Sequence, residues 1–84
     1  MGGLRLSMFN ELDRVALVDD LPEYGLQAGD IGMIVHIYSN HKGYELEFVT
    51  LHGDFVALVS VFPTQIRTIA DNEIASARPV QQAS

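Results

Sequence analysis

With 84 residues, 48% of them hydrophobic, the chain has room for one small domain near the size where a single core only just suffices. The absence of cysteine excludes disulfides, a thiolate nucleophile and cysteine-based zinc sites, so the fold must rest on its apolar core or on a partner. Of the net charge of −6, residues 11–69 carry nine acids (Glu11, Asp13, Asp19, Asp20, Glu23, Asp30, Glu45, Glu47, Asp54) against three bases (Arg14, Lys42, Arg67), without the clustered cations that phosphate contacts need.

In chain order, residues 1–10 open Met-Gly-Gly and show no period, which reads as a flexible N-terminal arm. Arg14–Val18 is a short strand. Asp19–Ala28, punctuated by Pro22 and Gly25, is a long acidic loop. Gly29-Asp30-Ile31-Gly32 leads into a β-prone run, Gly32–Tyr38. Ser39–Gly43 is a turn, with Gly43 expected at its left-handed position.

Tyr44-Glu45-Leu46-Glu47-Phe48 alternates apolar and acidic residues, so one face is buried and the other carries carboxylates into water. A turn at Leu51–Asp54 precedes a strand over Phe55–Val61. Pro63 opens a helical turn within Phe62–Ile66, and Arg67–Ile69 forms a last edge strand. Ala70–Ser84 is a tail, or a helix made only against a partner, because Asp71–Ala77 alone falls short of a stable isolated helix. Five short strands, a long first loop and a helical turn before the fifth strand predict an all-β, partly open barrel over residues 11–69, with flexible termini.

The blocks Asp13–Leu17, Asp20–Leu26, Gly29-Asp30-x-Gly32-x-x-Val35, Tyr44-Glu45-x-Glu47-Phe48 and Gln65-Ile66-Arg67 occur in this order. Together they resemble the domain-of-unknown-function 4926 family of short bacterial proteins, over roughly Asp13 to Ile69. Gly-Asp-x-Gly is also similar to KOW-type and nitrile-hydratase-β-type barrels. The resemblance implies an SH3-like fold and no established activity. It suggests a small companion protein, with an antitoxin- or immunity-like role as one expectation.

The residues themselves favour binding over catalysis. His36, His41 and His52 lack metal-ligand spacing, and no cofactor is expected. Ser39, Ser60 and Thr64 have no evident His-Asp setting, and Asp19 and Asp20 diverge in extended chain. Glu45 and Glu47 share a strand face about 7 Å apart by strand rise, but a solvated face offers no pocket. Enzymatic activity is not expected.

Two interaction surfaces are expected instead. Asp19, Asp20, Glu23 and Tyr24 in the first loop, with Tyr38 added, set acids beside aromatics as peptide-binding loops do. The competing view is that Tyr24 caps the barrel and the acids keep the loop soluble; the lack of Trp also weakens any proline-motif reading. The second surface is Phe55–Val61, apolar on both faces, as is Met33–Val35. Such strands are either central and covered or part of an interface, which makes Phe55 and Leu58 candidate contacts for a homodimer or a larger subunit.

The leading expectation is therefore a non-enzymatic protein-binding module with a protein partner or a second copy. A KOW-like nucleic-acid or ribosome-associated module is the alternative, supported by Gly29–Val35 and opposed by the charge. An accessory subunit of a larger enzyme is the third. No run approaches the roughly 18 apolar residues of a membrane helix, and the start of the chain lacks a secretory pattern, so a cytoplasmic location without a membrane partner is expected.

Overall fold

A computed structural model describes residues 9–80. Five antiparallel strands form one sheet: β1 (Arg14–Leu17), β2 (Ile31–Ile37), β3 (Tyr44–Val49), β4 (Phe55–Val61) and β5 (Ile66–Arg67). Their spatial order is β4-β3-β2-β1-β5. The expected all-β architecture with five strands is present. The sheet is not closed into a barrel, and β4 and β5 are its two edges.

The alternation in β3 does what its period requires. Tyr44, Leu46 and Phe48 are buried, while Glu45 and Glu47 stay partly in water. These three residues meet Val15, Leu17, Ile34, Val59, Val61 and Ile66 in one apolar cluster. Leu46 and Ile34, paired across β3 and β2, are fully enclosed.

Bulges decide which side chains reach the outer face. In the β3–β4 hairpin Phe48 pairs with Ala57 and Val49 with Phe55, so Val56 is the extra residue. Val56 and Ala57 are consequently both buried, and Phe55 is turned outward. A second bulge at Val35 brings His36 opposite Glu45.

Two details differ from the sequence reading. At the β2–β3 turn, Asn40 (φ 59°) and His41 (φ 54°) take the left-handed conformation, and Gly43 does not. Gly43 is instead a close-approach position, where a Cβ would lie 3.1 Å from the Val61 carbonyl oxygen. The fifth strand is Ile66–Arg67, paired with Leu17 and Ala16, rather than Arg67–Ile69. Beyond Arg67 the chain turns instead of continuing, because Glu73 accepts hydrogen bonds from Arg67 and from the Ala70 N–H. Asp71–Ala77 forms no helix, and the expected tail is non-helical chain up to residue 80.

Most of the expected N-terminal arm, residues 1–10, lies outside the described residues. Its last part is anchored: the Phe9 ring meets Tyr44 edge-on at 5.5 Å, and Asp13 accepts the Asn10 N–H. Burial pushes the Tyr44 phenol up from its ordinary value, and a backbone hydrogen bond at Phe9 pulls against that rise.

Candidate functional site

The first loop is built by its own apolar residues. Leu21 and Leu26 are buried and exchange backbone hydrogen bonds of 2.9 and 3.2 Å, closing the short helical turn Pro22–Tyr24 between them. Gly25, at φ 71°, supplies the left-handed residue that ends this turn. Asp20 Oδ1 accepts the Ala28 N–H at 2.8 Å, so this acid ties the loop across its width. Asp19 and Glu23 are exposed, and Tyr24 is 42% exposed on the helical turn.

The Gly-Asp-x-Gly segment has a separate part for each residue. Gly29, at φ 93°, turns the chain and donates its N–H to the Leu17 carbonyl. Asp30 Oδ2 accepts the Gln27 N–H at 2.9 Å. Gly32 leaves room for an aromatic ring, since a Cβ there would lie 2.8 Å from Phe48.

Asp30 also receives the tail. Arg78 Nε donates to Asp30 Oδ1 at 3.1 Å and its Nη2 donates to Asp30 Oδ2, a two-point ion pair. The same Nη2 donates to the Gly25 carbonyl at 3.1 Å. Asp30 holds the Arg78 guanidinium above its ordinary value. Val80 packs on the core beyond it. Between residues 75–80 and the sheet lies an open cleft of about 650 Å³, floored by Leu26, Ile31, Phe48, Val49 and Val56.

The other candidate surface is β4. Its only strand partner is β3, so its second edge is unpaired among the described residues. No charged residue occurs from Phe55 to Ile66. On its outer face Phe55 and Leu58 are each 48% exposed, and Val49 stands opposite Phe55. Arg14, Met33, Glu47 and Leu58 form one cross-strand row over four strands.

The seven sequence-predicted contacts thus fall on separate parts of the molecule. Asp19, Asp20, Glu23 and Tyr24 share the first loop, and Phe55 and Leu58 share β4. Tyr38 lies past the other end of β2 from that loop, roughly 20 Å of strand rise away. There its hydroxyl is 3.0 Å from Ser60 Oγ and its ring meets His36 edge-on at 4.9 Å.

That end brings Ser60, His36 and Glu45 into one row, but β3 separates the serine from the histidine. Two strand spacings, about 10 Å, are too far for the hydroxyl–imidazole hydrogen bond that activates a nucleophile. Glu45 and Glu47 do not line the cleft. No three His, Asp or Glu side chains gather as a metal-ligand set among the described residues.

Sequence reasoning missed Asp30 and Arg78 as partners. The usable signal was a lone cation beside Pro79 in a segment otherwise rich in small residues, facing an acid inside a turn motif. Nothing in their separation of 48 positions indicated that they meet.

An open five-stranded sheet with a tied acidic loop and, among the described residues, an unpaired apolar edge makes this a small all-β domain. The family described as "Domain of unknown function (DUF4926)" matches residues 11–68, and the chain belongs to it. Arg78 lies beyond the matched residues, whereas its partner Asp30 lies within them. Comparison with curated proteins and with solved structures found no match. No helix among the described residues is long and apolar enough to cross a membrane.

Proposed function

We propose that this chain is a non-enzymatic binding module that docks a protein strand on the β4 edge of its sheet. The observation that carries the reading is the state of that edge: seven residues long, uncharged and, among the described residues, unpaired, with Phe55 and Leu58 half exposed beside it. An edge of this kind offers a row of free backbone donors and acceptors, and proteins that avoid pairing blunt it with charge, proline or a cover. An added strand takes up those hydrogen bonds, and the flanking apolar side chains supply buried area.

A second copy is the simplest such strand, because β4 meets β4 antiparallel about a two-fold axis with the same residues on both sides. The net charge of −6 suits a basic partner in addition, which is the setting of an antitoxin- or immunity-like companion to a neighbouring gene product. The acidic balance does not support the nucleic-acid alternative.

Light scattering of the isolated chain, alone and with the product of the adjacent gene, tests the reading. The expected result is a dimer or a defined complex. A chain that stays monomeric at every concentration and retains no neighbour in a pull-down overturns it.

A further inference from the structure

The tail sets Arg78 on Asp30 and on the Gly25 carbonyl. Such a seat has a definite chemistry. A carboxylate and a carbonyl oxygen are set to receive one guanidinium in a fixed orientation, which a point-like ammonium does not reproduce. Beside the seat the cleft continues over apolar floor residues, and its roughly 650 Å³ remain open with residues 75–80 in place. Among the described residues, the tail brings Ala75, Ser76, Ala77, Pro79 and Val80 to that space beside Arg78. Small side chains leave apolar floor unfilled, so a ligand with the same arginine and a larger apolar neighbour buries area that the tail does not.

We infer that the cleft between the first loop and the β3–β4 turn is a binding site for an arginine-bearing extended peptide, and that Arg78-Pro79-Val80 occupies it in cis. The ligand class is a chain segment of another protein, with arginine on Asp30 and a bulky apolar side chain over Phe48 and Val56. The tail is a competitor at high effective concentration, on the order of millimolar for a short tether, so incoming segments need the extra apolar contact to displace it. The site touches β4 through the buried Val56 and needs none of the backbone groups along its edge. The docking reading above and this one fail separately.

The probe is a fluorescein-labelled synthetic peptide with the sequence of residues 75–80, and a second with phenylalanine in place of the terminal valine. Both are titrated by anisotropy into the full chain, into Arg78→Ala, and into Arg78→Ala carrying Asp30→Asn. The Arg78→Ala chain is expected to bind both peptides at least about tenfold more tightly than the unaltered chain, because the cis competitor has lost its anchor. The phenylalanine peptide is expected to bind the more tightly of the two. Adding Asp30→Asn is expected to remove the gain.

Asp30 also closes the turn at Gln27, so thermal denaturation and the amide spectrum of the sheet accompany the titration. Should that variant unfold, a peptide with glutamate replacing its arginine, offered to Arg78→Ala alone, makes the same test from the ligand side. Equal binding by the unaltered and Arg78→Ala chains, binding indifferent to the peptide's arginine, or no binding to Arg78→Ala overturns the proposal. So does a set of tail amide resonances in the full chain that the phenylalanine peptide leaves unmoved.

Discussion

The two edges of the sheet are finished in opposite ways. At β5 the strand is two residues long, and the chain leaves it at once into a turn closed by Arg67 and Glu73. Its neighbour β1 is followed by the acidic loop, over which the tail is fastened. At β4 the strand is seven residues long, carries no charge and has nothing paired beside it among the described residues. Short edges, charges and covering segments are the devices that prevent unwanted strand pairing. The β5 edge uses the first two of these, and the β4 edge, among the described residues, uses neither.

The largest effect comes from removing what both edges stand on. Leu46 and Ile34 are fully enclosed where β3 and β2 pair, midway between the edges. Leu46→Ala is expected to lose about 2–5 kcal/mol, the range for deleting a buried leucine side chain that the surroundings do not refill. In a domain this small, that is a large share of the total stability. Denaturant unfolding followed by circular dichroism measures it. A loss under 1 kcal/mol would show that the two halves do not share one core.

Gly32→Ala acts next, and it separates the tail side from the edge side. The new methyl meets the buried Phe48 ring at 2.8 Å, so either the ring or β2 must shift. Overpacking of this kind costs about 1–3 kcal/mol. Phe48 also floors the cleft, so the amides of residues 75–80 are expected to shift along with the loss of stability. Phe48→Leu in the same chain is expected to restore part of that stability. No recovery would place the strain in the backbone of β2 and not at the ring.

Leu58→Lys tests the bare edge with little cost to the fold. Leu58 is half exposed and opposite Glu47, so a lysine there has solvent and a carboxylate neighbour. Monomer stability is expected to change by no more than about 0.5 kcal/mol. Association through β4 is expected to weaken by about tenfold or more, because a charge is carried into an apolar contact. Sedimentation or light scattering reads this directly. Unchanged association would move the interface away from β4.

How much of this was legible in the sequence differs between the two sides. The alternation of Tyr44 to Phe48 gave β3 its facing without further help, and the two apolar faces of Phe55–Val61 marked β4 as a strand without a charged face. Periodicity did not reveal the bulge at Val56, which reverses the facing of Phe55; only the register against Phe48 and Val49 shows it. The left-handed turn at Asn40 and His41 was masked by Gly43, whose lack of a side chain serves a close approach instead. The Arg78–Asp30 contact was invisible because an ion pair across 48 positions leaves no local pattern. Strand identity is written locally, whereas bulges and tail contacts are settled by tertiary register.

The smallest expected effect concerns the turn that ends β5. Glu73 lies below its ordinary value of 4.5, chiefly because Arg67 donates two hydrogen bonds of 2.8 Å to it and also because the Ala70 N–H does. A carboxyl whose folded value is depressed stabilises the folded arrangement above its unfolded value and loses that contribution as pH falls through the folded one. The turn should therefore be complete at neutral pH and open only on acidification below 4.5. Arg67 is displaced upward by the same contact, so no basic limb appears below the range of guanidinium titration. Both groups are solvent-exposed, and salt should weaken the contact. A carbon-detected titration of the Glu73 carboxyl, with the β4 amides as reference, is expected to give a midpoint under 4.5 while β4 stays still. A midpoint at or above that value would mean the β5 edge is not closed by this ion pair, and the contrast between the two edges would then rest on strand length alone.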